Sequence, residues 1–364
     1  YFISILIYLL ILIIDIRLDI IPYFPDTDLY TNILRGNVEI AKTHSLGVRI
    51  GFKYLSTLFN YISAKIPLLY ILFNMMLNQV GLMICWKAWM IYKEGDISIQ
   101  EQRNYLIMAF VYPVSIIFSL VPLRESYMLF AFALFLLGVV QKKRVNIFLL
   151  LGTLLIFILR NELIIFSVMV LIAKYLFIYH KIIKKTKLLF FIILIPIIYG
   201  IINYVSTNYL NISITPSSLA SFRNFQRNSY LLSGAVYPEV FWKSWFDVIK
   251  DFPFLILQFL FAPFPIIVNM DFSNKITYLL DGIYVSFLIS YLLLNIKKVF
   301  SNKLWLSIFI MFVSLNSMYE YYMTASIRHR YYGIILLIPM FSELITKREC
   351  FDQKRSDLNG NRTN

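Results

Sequence analysis

The stretch 66–90 reads IPLLYILFNMMLNQVGLMICWKAWM and contains one charged side chain, that of Lys87. A helix crosses the hydrocarbon of a bilayer with about 20 predominantly apolar residues, so this stretch is long enough to span a membrane. Similar apolar runs occupy 126–140 and 188–202. They lack the alternation of membrane β-barrel strands, and only helices and closed barrels satisfy every backbone group in lipid. The sequence therefore predicts an all-α, polytopic membrane helix bundle.

The composition of the whole chain supports this class and excludes others. Of the 364 residues, 59% are hydrophobic and 15% are charged, whereas a soluble domain has about 25% charged residues. The formal charge of +14 would suggest nucleic acid in a soluble protein. Here the basic residues lie in short segments between apolar runs, where they set topology. We therefore expect no nucleic-acid partner. Cys85 and Cys350 are far apart in sequence and offer neither a disulfide framework nor a metal site. We expect no metal and no cofactor.

The apolar runs predict about 10 spans. We place them at 1–15, 66–89, 104–122, 123–140, 146–160, 162–179, 188–206, 277–295, 304–321 and 331–346. The first run is interpreted as a span and not as a signal peptide, because no small-residue cleavage site follows it. Segment 254–270 is also apolar, but its sequence Phe261-Ala262-Pro263-Phe264-Pro265 breaks a helix, which predicts a re-entrant or interfacial segment.

Lysine-rich segments predict the orientation, because they favour the inner side of the membrane. They lie at 142–144, 181–187, 297–303 and 347–348. The outer side then receives the loops at about 16–65 and 206–276, the connection 322–330, and the tight turns 123–125 and 160–162. The chain is interpreted as one membrane domain, 1–346, with a polar cytoplasmic tail at 347–364.

Arginines are concentrated on the predicted outer side, which topology does not require. The guanidinium is a planar fork suited to bidentate capture of phosphate or carboxylate. We therefore expect an anionic ligand there, and the alternative is that these side chains pair with lipid headgroups or nearby acids. The candidate substrate-binding residues are Arg124, Arg160, Glu162, Arg223, Arg227, Arg328 and Arg330.

Arg124 and Arg160 each lie in a tight turn between two apolar runs. Ionisable groups near membrane depth are costly and usually functional. Each has an acid within two residues, so a local ion pair is the alternative interpretation. The segment Arg328-His329-Arg330-Tyr331-Tyr332 forms a basic and aromatic opening suited to a sugar or phosphate, or alternatively an interfacial aromatic belt.

The first outer loop contains Pro25-Asp26-Thr27-Asp28-Leu29-Tyr30. Asp26 or Asp28 can accept a proton from a hydroxyl and is the candidate catalytic base. The alternative is a solvated turn in which Asp28 caps the next helix. The three histidines, His44, His180 and His329, show no metal-ligand spacing.

Taken together, these features resemble the Wzy-type polymerases of bacterial O-antigen and capsule assembly, and the wider GT-C class of polyprenyl-sugar-using glycosyltransferases. The residues that carry the resemblance are the acidic loop 25–30, the turns at Arg124 and Arg160, the stretch 263–265 and the terminal 328–330. The chain departs from the simplest GT-C pattern because no large soluble domain follows the spans.

The resemblance implies a reaction in the bacterial plasma membrane. A glycan on undecaprenyl diphosphate is transferred to a sugar hydroxyl of the next lipid-linked repeat unit at the outer face, and a chain-length regulator and a flippase are the implied partners. Two alternatives remain open: a GT-C enzyme that adds single sugars from a polyprenyl-phosphate donor, and a flippase for the same lipid-linked oligosaccharide. A membrane O-acyltransferase is disfavoured, since that class normally needs a histidine at membrane depth and none of the three histidines here is well placed for it.

Overall fold

The computed structural model of the chain describes residues 2–18, 21, 27, 31, 58, 61–141, 146–178, 200, 203, 207, 215–230, 236–261 and 272–360. Within these ranges the secondary structure is helical, with one isolated antiparallel bridge between Val236 and Tyr322. The predicted all-α class is confirmed for this part of the chain.

The helices are numbered in chain order. The first seven are α1 (Phe2–Leu18), α2 (Pro67–Tyr92), α3 (Ile99–Val111), α4 (Pro113–Leu120), α5 (Glu125–Val140), α6 (Ile147–Leu159) and α7 (Ile164–Ile178), with a 3₁₀ turn (Asn161–Leu163) between α6 and α7. They are followed by α8 (Pro216–Asn228), α9 (Trp245–Phe261), α10 (Phe272–Leu294), α11 (Ile296–Val299), α12 (Lys303–Tyr319) and α13 (Met323–Gly360).

Two helical segments are long and apolar enough to cross a membrane, Leu68–Tyr92 in α2 and Lys275–Leu294 in α10. The bent pair α3 and α4 makes a third if it is one span. Shorter apolar helices lie at Ile3–Asp15, Glu125–Val140, Ile147–Leu159, Ile164–Tyr175 and Lys303–Tyr319. The predicted span 188–206 lies almost entirely outside the described residues.

The predicted span 104–122 is broken into two helices in the structure. Helix α3 ends at Val111, α4 begins at Pro113, and the two axes are bent by 57°. Proline has no N–H and its ring clashes with the preceding turn, so it begins a helix far better than it continues one. Pro113 was overlooked as a break because the apolar pattern continues through it.

Two helices differ in extent from the predicted apolar segments. Helix α13 begins at Met323 and continues to Gly360, past both ends of the predicted span 331–346. Helix α9 begins at Trp245, ahead of the predicted apolar segment, and ends at Phe261 next to the proline motif. Segment 262–271 lies outside the described residues, so the re-entrant path stays a prediction.

Two helices form the centre of the bundle. Nearly every residue of α5 is buried, from Glu125 to Val139, and so is every residue of α13 from position 330 to 344. A helix that is apolar on all sides belongs in such a core. Helix α5 packs against α2 and α6, while α13 packs against α3, α10 and α12.

Glycines set the spacing between α5 and α6. A Cβ on Gly152 would lie 2.3 Å from the backbone nitrogen of Phe135, and one on Gly138 would lie 2.4 Å from that of Leu149. Such close approach of backbones is the use of small residues between membrane helices. The turn before α5 and the turn after α6, both described below, are brought together by this contact.

We predict that Gly138→Ala and Gly152→Ala each destabilise the protein by about 1–3 kcal/mol, because the added methyl forces the helix backbones apart. Thermal unfolding of the purified protein in detergent measures the loss. Gly81→Ala is the matched control: its Cβ would lie 3.0 Å from Leu129 Cγ and 3.3 Å from the backbone nitrogen of Phe130, farther than in the other two variants, so its melting temperature should fall less. Equal melting temperatures for all three variants would contradict this packing.

Charged side chains form contacts at each of the two ends of the bundle. At one end the Lys93 ammonium lies 2.7 Å from the Glu343 carboxylate and donates to Asn302 at 2.9 Å. At the other end Arg328 contacts Glu125 at 2.7 Å. Positions 328 and 343 lie on the same helix, about 22 Å apart at 1.5 Å per residue. The segments predicted to face the inner and outer sides therefore lie at opposite ends of the bundle.

Candidate functional site

The turn between α4 and α5 positions Arg124. The amide of Asn74, on α2, donates to the carbonyls of Val121 at 2.7 Å and Leu123 at 3.3 Å and so fixes this turn. Arg124 is buried and donates to the carbonyl of Leu159 at 3.2 Å. Leu159 is the last residue of α6, where free carbonyls attract cations. Arg124 thus joins two of the predicted outer turns.

Arg160 lies directly after α6, at the start of the second turn. Its Nε donates to Glu162 at 2.9 Å, so the local ion pair considered from the sequence is present. The Arg160 side chain is 6% exposed and that of Glu162 is 35% exposed. The carboxylate is therefore the accessible member of the pair.

The third contributor is the segment between α12 and the start of α13. Arg328 binds the Glu125 carboxylate, at the first residue of α5, across 203 positions of sequence. His329 Nδ1 lies 2.5 Å from Oε2 of Glu320, which follows α12. The Glu320 side chain is 2% exposed and the His329 side chain is 24% exposed, so the carboxylate lies beneath the ring.

These three turns form one group of side chains, which we call the charged cluster. Its members are Arg124, Glu125, Arg160, Glu162, Glu320, Arg328 and His329. Besides the direct contacts, Arg124 and Arg160 both act on Glu162, and Arg160 and Arg328 both act on His329. Three guanidiniums and three carboxylates thus meet at one end of an apolar bundle.

The cluster changes the ionisation of two of its members. Burial raises the pKa of Glu162, but the Arg160 and Arg124 guanidiniums outweigh it and hold the pKa below its usual value. His329 precedes the predicted span 331–346, and burial together with Arg160 lowers its pKa, a shift that Glu320 partly offsets. Its imidazole is therefore mainly neutral at neutral pH, when it can accept a proton.

Arg223 and Arg227, from the predicted second outer loop, lie on α8 beside the cluster. Arg223 is buried and donates to the carbonyls of Ser317 at 3.0 Å and Met318 at 3.3 Å, near the end of α12. Burial lowers the pKa of Arg223 to about 10. Arg227 binds the Glu239 carboxylate and donates to the carbonyl of Tyr237, both within its own loop. Arg223 therefore fastens the loop to the bundle, whereas Arg227 joins two parts of the loop itself.

Arg330 points away from the charged cluster into the bundle. It is fully buried, pairs with Asp281 of α10, and donates to the carbonyls of Phe259 and Leu260 at the end of α9. Tyr112 donates to the same carboxylate at 3.0 Å. These contacts join α9, α10 and α13. They give Arg330 a structural function within the bundle, and not a place in the charged cluster.

The two candidate catalytic residues, Asp26 and Asp28, lie outside the described residues. Among the residues that the structure does describe, no group of three or more His, Cys, Asp or Glu side chains could hold a metal ion.

Glu320 and Asp281 were missed as functional or structural groups in the sequence, and His329 was identified only as part of the segment 328–332. Asp281 could have been found, because a lone acid within an apolar run needs a buried partner. Glu320 and His329 are nine residues apart in chain segments joined by a turn, and nothing in their spacing predicts contact. Only the packing of α12 against α13 brings them together.

Comparison with known proteins adds no family to this geometry: no family model, curated protein or solved structure matches the chain.

We predict that Asp281→Asn destabilises the protein by about 3–5 kcal/mol, because it leaves the Arg330 guanidinium buried without its counter-charge. The double variant Asp281→Leu with Arg330→Met removes both charges and should recover most of that stability. Melting temperatures in detergent compare the two. A double variant no more stable than Asp281→Asn would contradict the role of this ion pair.

Proposed function

We propose that this chain is a membrane glycosyltransferase with about 10 spans that polymerises oligosaccharide repeat units carried on undecaprenyl diphosphate. The reaction would take place at the outer face of the bacterial plasma membrane and produce O-antigen or capsular polysaccharide. The substrates would be two lipid-linked oligosaccharides, and a chain-length regulator and a flippase would act with the enzyme.

The observation that carries the proposal is the convergence of three arginines from three separate turns. Arg124, Arg160 and Arg328 belong to segments up to 204 positions apart, and they meet at the end of the bundle that the lysine distribution assigns to the outer side. Topology favours removing positive charge from that side. A phosphate-bearing substrate accounts for keeping three guanidiniums there.

The chemistry of transfer matches this arrangement. When the glycosidic bond to the diphosphate breaks, negative charge develops on the phosphate oxygens. Guanidiniums held in place before the reaction stabilise that charge without reorganising. A lipid-linked donor would place its diphosphate at the membrane surface, beside the turn arginines, while its polyprenyl chain stays among the apolar helices.

The existing ion pairs fit a site that exchanges partners. Glu162 binds Arg160 at 2.9 Å, and its side chain is the more exposed member of that pair. A donor diphosphate would replace Glu162 on Arg160 and form stronger, bidentate contacts. The released carboxylate would then be free to accept hydrogen bonds from sugar hydroxyls.

The reaction also needs a base for the acceptor hydroxyl. The sequence candidates are Asp26 and Asp28 in the first outer loop, which follows α1. The exposed aromatic side chains near α8 would offer apolar faces to sugar rings; Tyr230 stacks on Tyr322 at 4.9 Å beside the chain segment that leads to His329.

We predict that Arg124→Ala, Arg160→Ala and Arg328→Ala each lower polymer formation about a hundredfold or more, because each removes a donor to the developing phosphate charge. The measurement is the surface polysaccharide ladder of cells carrying each variant, with protein level checked by immunoblot. Arg103→Ala is the matched control, since Arg103 is an exposed arginine of α3 near the opposite end of the bundle.

A liposome assay of the wild-type protein separates an enzyme from a flippase. Purified protein in liposomes is given lipid-linked oligosaccharide that already faces the outer side. A polymerase forms polymer from it, a single-sugar transferase adds no repeat units, and a flippase leaves it unchanged. Wild-type ladders from all three arginine variants would overturn the proposed site.

A further inference from the structure

The contact between His329 and Glu320 has the form of a proton-accepting pair. The ring nitrogen Nδ1 lies 2.5 Å from the carboxylate oxygen Oε2. A carboxylate oxygen accepts, so Nδ1 carries the proton and donates it to Glu320. In the neutral ring the other nitrogen, Nε2, then holds a lone pair that can take a proton.

The position of the pair suits such a role. Glu320 is nearly inaccessible, and Oε1 of the same carboxylate accepts from the backbone N–H of Tyr322 at 3.3 Å. Tyr322 in turn forms the bridge to Val236, which ties the turn to the outer loop. The carboxylate is thus held in place, whereas the imidazole above it keeps 24% of its surface open.

The charged groups that face His329 come from three chain segments. Arg160 approaches from the turn after α6, Arg328 is its neighbour on α13, and Glu320 lies at the end of α12. The two guanidiniums disfavour a second positive charge on the ring, and the carboxylate favours it. The imidazole therefore lies next to the arginines of the proposed diphosphate site. Glycosyl transfer requires this, because the group that deprotonates the acceptor and the groups that bind the leaving diphosphate act at the same anomeric carbon.

We propose that His329 is the general base of the glycosyl transfer, and that Glu320 orients its ring and stabilises the imidazolium that forms. The inference rests on the proposed function, and it assigns to His329 the role of catalytic base for which Asp26 and Asp28 were the candidates from the sequence. His329 would contact the acceptor hydroxyl directly, and Glu320 would be a positioning residue.

The step balances as follows. The acceptor hydroxyl oxygen attacks the anomeric carbon and forms the new C–O bond, while its proton passes to His329 Nε2. The bond between the anomeric carbon and the diphosphate oxygen breaks, and its electron pair leaves with undecaprenyl diphosphate. The imidazolium then returns its proton to water, and no oxidant, metal or nucleotide is consumed.

The test uses the full-length protein in liposomes, with lipid-linked oligosaccharide extracted from cells that lack this chain. We expect His329→Gln to lower the transfer rate about a hundredfold or more, since general-base catalysis contributes 10²–10⁴-fold. Binding of farnesyl diphosphate, a short polyprenyl diphosphate, should remain within about twofold of wild type, because binding of the diphosphate depends on the arginines. His180→Gln, in a lysine-rich segment predicted to face the inner side, is the matched control and should keep the wild-type rate.

The pH profile distinguishes a base from a merely structural residue. The wild-type rate should fall as the pH drops through the pKa of His329, below the usual value of about 6.5. Glu320→Gln removes a group that raises that pKa, so this acid limb should move to lower pH while the maximal rate decreases. Asp26→Asn and Asp28→Asn should leave the limb in place.

Three outcomes decide the inference. A His329→Gln variant that folds, binds farnesyl diphosphate and transfers at the wild-type rate overturns it, and so does an acid limb unchanged in Glu320→Gln. If His329→Gln does not fold, the shift in Glu320→Gln alone carries the decision. A wild-type protein that transfers no glycan overturns the proposed function itself, and the inference with it.

Discussion

The ion pair between Arg328 and Glu125 is the contact on which the outer end of this bundle depends. Glu125 begins α5, the central helix, and Arg328 lies in the first turns of α13, the other central helix. Both side chains are at least mostly buried, so each needs the other to offset the loss of water. The pair therefore fixes the two central helices relative to each other at the end where the charged turns meet.

The remaining parts of the site are arranged around this contact. The close approach of α5 and α6 at their glycines brings Leu159 near Arg124, and so places the Arg160 turn beside the start of α5. Helix α12 packs on α13 and delivers Glu320 beneath His329. Apolar packing in the bundle thus determines which polar groups meet at its end, and the ion pairs then hold those groups in one geometry.

Hydrophobic runs predicted the helices well, because the need to satisfy backbone groups in lipid leaves few other structures for long apolar stretches. The break at Pro113 was not predicted, because the pattern of apolar residues does not show where a backbone N–H is missing. The arginine-rich turns were also identified from the sequence, and the structure brings Arg124, Arg160 and Arg328 together. Arg223 and Arg330 look equivalent to them in sequence, but Arg223 joins α8 to the end of α12, and Arg330 pairs with Asp281 inside the bundle.

What the sequence could not provide is the pairing of distant groups. Glu125 and Arg328 are 203 positions apart, and the contact between Glu320 and His329 depends on how α13 packs on α12. The spacing of His329 shows no ligand pattern, and the role proposed for it rests on its position next to two arginines and the carboxylate of Glu320. The cluster holds three glutamates beside its three arginines, and under the proposed function a substrate would replace the most exposed of these glutamates, Glu162, on Arg160.

The central claim is that the three turns form one diphosphate site at one end of the bundle. The most direct measurement is a cryo-EM structure of the protein in a lipid nanodisc with farnesyl diphosphate bound. The account predicts phosphate density in contact with Arg124, Arg160 and Arg328, with Glu162 displaced from Arg160. Phosphate density at the opposite end, beside Lys93 and Glu343, or turns that do not meet, would contradict it.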